Sequence, residues 1–136
     1  MKQLFNIIFL FLLLLAVTGC NLASSSNTPA ASGTPEWLFI SSSGGMDGKG
    51  DENVGYDGIT INADNIVYYK NGNIINTQKI VYKTGKSIRT GKNTDLLYIG
   101  GKGSIPCEVF IDGNKMTLYD CVHDGYQYDF KKAPSK

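Results

Sequence analysis

The chain has 136 residues, a formal net charge of +1 from 13 basic and 12 acidic side chains, 16 glycines, eight tyrosines and three cysteines. That length accommodates one domain rather than two, and the balanced charge makes nucleic acid a poor partner. Abundant glycine and tyrosine suit short strands and tight turns more than helices.

The first residues read as an address. Met1 and Lys2 give a positive start, and Leu4 to Val17 is an apolar run broken only by Asn6. A run of about 14 residues has signal-peptide length and falls short of the roughly 20 needed to span a bilayer. It ends in Val17-Thr18-Gly19-Cys20, where small residues precede a thiol. The motif resembles the bacterial lipoprotein signal. The resemblance implies that residues 1–19 form a signal helix that is cleaved. It also implies that Cys20 is lipidated, palmitate included, and that the acylated Cys20 holds the chain on a lipid bilayer, since several acyl chains anchor stably. Asn21, rather than Asp, follows that cysteine. By the same resemblance the chain belongs in the cell envelope, on the periplasmic face of the outer membrane.

Residues 20–35 are dominated by Ser, Asn, Thr, Pro, Ala and Gly. Such a segment buries too little surface to offset its ordering entropy and reads as a flexible tether. The folded part is expected over residues 36–132, with 133–136 as a tail. Trp37, Phe39 and Ser41 share one side of a first strand. A glycine-rich loop, Gly44 to Gly50, and the acidic residues around Asp51 to Asp57 come next, followed by a strand with Ile59 and Ile61 on one face. Ile66–Lys70 and Ile74–Lys83 flank Asn71-Gly72, a strong hairpin signal because both residues tolerate positive φ. A two-residue loop there sets Tyr69 opposite Ile74 and Tyr68 opposite Ile75.

Gly85 to Thr94 reads as a polar, turn-rich connection. A short apolar strand, 95–100, and a hairpin of 105–111 with 115–120 lead to a last strand that points Tyr126, Tyr128 and Phe130 inward. No stretch after residue 36 has helical periodicity. About eight short strands in sequential hairpins predict an all-β fold, a small antiparallel up-and-down barrel.

With Cys20 assigned to lipid, Cys107 and Cys121 remain as a pair in a compartment that permits disulfides. A bridge is the expected state, but it competes with turn geometry. A tight Asp112-Gly113 turn sets Cys107 opposite Leu118, whereas a wider loop centred on Asn114 sets the two cysteines face to face, as Cβ atoms about 3.8 Å apart require.

Several features together resemble the small lipocalin-like lipoproteins of bacteria, of the Bacteroidetes type. They are the Trp37 strand, the Ser43-Gly44-Gly45 loop, the Ile59-to-Asn62 strand ending in Ala63-Asp64 and the Asn-Gly hairpin. The ending Leu118-Tyr119-Asp120-Cys121-Val122-His123-Asp124-Gly125-Tyr126-Gln127-Tyr128 completes the set. The resemblance spans most of residues 36–132 and implies a lipocalin-like barrel; taken with the strand tyrosines, which offer an apolar body and a polar tip, it leads to the expectation of a small apolar or aromatic ligand.

Strand aromatics are the candidates to line such a site: Trp37, Tyr68, Tyr82, Tyr98, Tyr126 and Tyr128. The alternative for each is plain barrel filling. His123 beside Cys121 and Asp124 reads as a turn rather than a metal site. Asp47, Asp51, Asn53 and Asp57 read as a solvated loop, because Lys49 breaks the order of a calcium loop. No catalytic constellation, cofactor or metal is expected. A second reading makes the chain a non-catalytic envelope interaction or inhibitor module working through its glycine-rich loops.

Overall fold

The computed structural model describes residues 32–135 other than 47, 51, 52 and 102. The expected signal helix, the lipidation position Cys20 and the tether up to residue 31 lie outside these residues. Eight strands follow one another: β1 (Trp37–Gly44), β2 (Gly58–Ile61), β3 (Asn65–Lys70), β4 (Asn73–Lys86), β5 (Asn93–Ile99), β6 (Pro106–Asp112), β7 (Lys115–Asp120) and β8 (Tyr126–Lys132). Each pairs antiparallel with its neighbour in sequence, and β8 pairs back onto β1, so the sheet forms one closed ring. Among the described residues there is no helix.

Turn chemistry sets the hairpins. Asn71 and Gly72 have φ of 52° and 74° and join Lys70 to Asn73, the two positive φ values that a type I′ turn needs. At the β6–β7 corner the ladder runs to Asp112↔Lys115. The turn is therefore Gly113-Asn114, with positive φ at Gly113 alone, as type II′ requires. The β4–β5 ladder continues through Gly85↔Thr94 to Lys86↔Asn93. This shortens the expected polar connection to residues 87–92.

Two bulges alter the expected register. β1 skips Ile40 between Phe39↔Phe130 and Ser41↔Asp129, so Ser42, not Ser41, shares the side of Trp37 and Phe39. β4 skips Ile75, so Tyr68 faces Asn76 while Tyr69 faces Ile74 as expected. Each bulge leaves an isoleucine about half exposed, Ile40 at 52% and Ile75 at 50%, because the extra residue steps out of the alternation.

The core fills the ring. Ile59, Ile66, Leu97, Met116 and Phe130 are essentially inaccessible, and Trp37, Ile80 and Leu118 pack with them. Each such side chain stabilises the fold by about 1.5–3 kcal/mol relative to exposure. The ladders are unequal around the ring. β1–β2 is held by two residue pairs, Trp37↔Ile59 and Leu38↔Gly58, and β5–β6 also by two, Leu97↔Cys107 and Tyr98↔Pro106. These two narrow seams divide the ring into β2–β5 and β6–β1.

Both seams carry reinforcement from outside the ladder. At the first, Glu36 N–H donates to Thr60 Oγ1 at 3.0 Å, and Pro35 lies against Gly58, where a Cβ would sit 2.5 Å from the Trp37 carbonyl oxygen. The segment from Ser32 crosses the outside of the sheet. Ser32 bridges to Asn73, Gly33 N–H donates to Gly72 O at 3.1 Å, and Gly33 rests on the ring of Tyr69. Residues 32–35 thus belong to the folded unit although their composition reads as tether. At the second seam, Ser87 Oγ donates to buried Glu108 Oε2 at 2.7 Å and Arg89 pairs with Glu108 Oε1 at 3.2 Å. The Arg89 guanidinium also lies over the rings of Tyr119 and Phe110, at 4.8 and 5.7 Å.

Candidate functional site

Alternation brings a set of inward side chains to one cavity of about 340 Å³. β3 contributes Ile66 and Tyr68, and β4 contributes Gln78, which pairs with Ile66. Ile99 of β5, Cys107 of β6, Leu118 and Asp120 of β7 and Tyr128 of β8 continue the wall. Ile105 comes from the β5–β6 connection, and Val54 and Tyr56 from the β1–β2 loop.

That loop folds back onto the ring. Gly50 N–H donates to Gly44 O at 3.0 Å, and Asp57 N–H to Tyr69 O at 2.7 Å. Gly50 lies so close to Ser42 that a Cβ would approach its carbonyl within 2.5 Å. Asp57 Oδ2 accepts the Asn71 N–H at 2.6 Å, tying the loop to the β3–β4 turn.

Tyr56 is the ring that the loop inserts. Its centroid lies 5.1 Å from Tyr68 and 5.8 Å from Phe39, both edge-to-face, and 6.5 Å from Phe130 in a parallel stack. Such aromatic pairs contribute about 0.5–1.5 kcal/mol beyond their burial. On the polar side, the Cys107 thiol donates to Asp120 Oδ1 at 3.4 Å, and Tyr126 N–H donates to Asp120 Oδ2 at 3.2 Å. Burial, then the Asp120 charge and hydrogen bond, push the Cys107 thiol up to about 12. Burial, with Cys107 adding to it, pushes the Tyr68 phenol up to about 12 as well. Both groups therefore stay protonated at neutral pH, and the thiol is a hydrogen-bond donor, not a nucleophile.

The expected disulfide is corrected by the register. Cys107 lies opposite Asp120, so Cys121 falls one position beyond. Cys107 faces the cavity while Cys121, whose thiol donates to Tyr119 O at 4.0 Å, lies beside Ile88 and Glu108. Both thiols are free and buried. The turn at Gly113-Asn114 is intermediate between the two turns considered from sequence, and neither of their pairings occurs.

Of the six aromatic candidates, Tyr68 and Tyr128 line the cavity together. Trp37 is buried in the core, away from the lining. Tyr82 is half-exposed. Tyr98 lies on the outer face in a separate groove with Val81 and Lys83, whose ammonium sits 5.2 Å from the ring centroid. Tyr126 stands at the rim, its ring 6.0 Å from that of Tyr128. Sequence reasoning missed Tyr56, Gln78 and Asp120. Continuing the inward alternation Met116, Leu118 by one step reaches Asp120, whereas nothing in the loop sequence singles out Tyr56.

His123 is exposed in the turn closed by Gly125 N–H to Val122 O. Among the described residues no three His, Cys, Asp or Glu side chains are grouped to share a metal ion. No family model, no curated protein and no solved structure matches the chain.

Proposed function

We propose that the chain is a non-catalytic, lipid-anchored protein of the bacterial envelope, held through Cys20 on the periplasmic face of the outer membrane. Its ring is a lipocalin-like up-and-down barrel that binds a small apolar or aromatic ligand. The observation that carries this reading is the cavity of about 340 Å³ walled by Tyr56, Tyr68, Tyr128, Ile66, Ile99 and Leu118. Small-molecule sites begin at about 300 Å³ and combine apolar walls with placed polar groups; here Gln78, Cys107 and Asp120 supply polar groups beside the apolar ones. The β1–β2 loop supports it over an interaction module, because Val54 and Tyr56 of that loop turn toward the cavity.

The binding test is native mass spectrometry of the full chain extracted in mild detergent, followed by titration with benzyl alcohol. A saturable isotherm that Ile99→Trp eliminates by filling the cavity is the expected result. Saturable binding that Ile99→Trp leaves unchanged rules out this cavity as the site. For the anchor, Cys20→Ser is expected to abolish incorporation of labelled palmitate and release the chain from membranes. Unchanged labelling refutes the lipidation.

A further inference from the structure

We propose that the cavity selects an organic cation, a molecule with an ammonium group on an apolar or aromatic body, and that Tyr56, Tyr68, Tyr128 and Asp120 make that selection. This rests on the ligand-binding reading above and narrows it to a chemical class.

Among the described residues, the lining contains one carboxyl group, that of Asp120, and no lysine, arginine or histidine. The partners of Asp120 are a thiol and a backbone N–H. Among the described residues no basic side chain pairs with it, and the ion pair that does form, Arg89 to Glu108, lies on the outer face. A carboxylate held by two neutral donors retains most of its charge, and a half-buried one still attracts a cation a few ångströms away by a few kcal/mol, on the order of the value at an effective dielectric of about 20. Tyr68 and Cys107 hold their protons at neutral pH, so neither adds or cancels charge in the wall.

The aromatic part of the wall points the same way. Ring faces carry negative potential, and quaternary or protonated amines bind among several rings with about 0.5–2 kcal/mol from each favourable contact. Tyr56 and Tyr68 present edge-to-face rings 5.1 Å apart, and Tyr128 faces the same space from β8. The fold already uses this interaction on its outer surface, where Lys83 lies over Tyr98 and Arg89 over Tyr119. An anionic ligand meets all of these terms with the wrong sign.

The test compares three soluble probes that share a phenyl ring: benzyltrimethylammonium, benzyl alcohol and phenylacetate. Each is titrated by calorimetry into the full chain in non-ionic detergent. Benzyltrimethylammonium is expected to bind about tenfold or more tighter than benzyl alcohol, with phenylacetate weakest. Asp120→Asn is expected to bring the cation-to-alcohol ratio below about threefold while leaving alcohol binding intact. Tyr68→Leu keeps the charge and removes a ring, so it is expected to weaken the cation more than the alcohol. It also serves if the Asp120 variant does not fold.

Equal affinity for cation and alcohol, or a ratio that neither variant changes, overturns the cation assignment while the cavity reading stands. Failure of all three probes to bind, or binding that persists unchanged in Ile99→Trp, overturns both.

Discussion

Alkaline titration of Cys107 gives the most direct check on the cavity chemistry. The thiol is pushed from its ordinary value of 9.0 up to about 12 by burial first and by Asp120 second. Below about pH 9 the folded and unfolded chains both hold this proton, and the full stability is present. Above that, the unfolded chain releases the proton and the folded chain does not, so stability falls as pH rises toward about 12. One unit of displacement corresponds to about 1.4 kcal/mol, and by about pH 10.5 the loss attributable to this thiol reaches about 2 kcal/mol.

Tyr68, raised to about 12, and Cys121, raised by burial, add slopes of the same sign. The informative quantity is therefore the stability gap between the natural chain and Cys107→Ala, measured by urea unfolding from about pH 8 to about pH 10.5. Cys107→Ala is expected to be less stable at the lower pH, through the lost packing and hydrogen bond, and the gap is expected to close by about 2 kcal/mol across the window. A gap that stays constant shows that the thiol titrates alike in both states and refutes its placement against Asp120.

Other outcomes follow from particular contacts. Ser87→Ala is expected to cost about 1.5–3 kcal/mol in urea unfolding, because it strips a charge-assisted hydrogen bond from buried Glu108, whereas Arg89→Ala, half in solvent, is expected to cost less than about 1 kcal/mol. The reverse order contradicts the assignment of Ser87 as the principal partner. Gly58→Ala places a methyl 2.5 Å from the Trp37 carbonyl oxygen and 2.8 Å from the Pro35 ring, an overpacking expected to cost about 1–3 kcal/mol. Gly72→Ala meets open space and is expected to lose only about 1 kcal/mol to its positive φ. A folded chain exposed to a thiol reagent near pH 8 is expected to leave Cys107 and Cys121 unmodified, and mild oxidation is expected to form no bridge between them. Intact-mass analysis showing rapid labelling rules out their burial, and an internal bridge in folded protein rules out their separation to opposite sides of the sheet.

How much was legible in advance depended on whether a signal was local. Asn71-Gly72 encodes its own turn, and the alternation through Tyr128 and Phe130 correctly places those two side chains on the inner side, while Tyr126, expected with them, stands exposed at the rim. The eight-strand antiparallel order follows from such segments taken in series. The bulges at Ile40 and Ile75 were not legible, because an isoleucine that leaves the ladder looks in sequence like one that stays in it. A single residue of register at Gly113-Asn114 was enough to carry Cys121 away from Cys107.

The site was readable only where it sat on strands. Tyr68 and Tyr128 obey period two, but Tyr56 reaches the cavity through loop packing that no periodicity records. Charge was hidden by averaging. The near-neutral total conceals Lys70, Lys79, Lys83, Lys86, Arg89 and Lys92 along β3–β5 against Asp95 there, with the acidic surplus gathered in the β1–β2 segment.

The short joint between β5 and β6 also bears on where the ring loosens first. Ile99, Ile105 and Cys107 border both that joint and the cavity, and two residue pairs hold it where six hold β6 to β7. Local opening costs least where the fewest backbone bonds must break, so this joint and the equally short β1–β2 seam are expected to part ahead of the longer ladders. At β5–β6 the strain of parting falls on Ser87, Arg89 and Glu108, the side chains that span it. Deuterium uptake at Leu97 and Tyr98 running ahead of that at Val109 and Leu118 is the signature such loosening leaves.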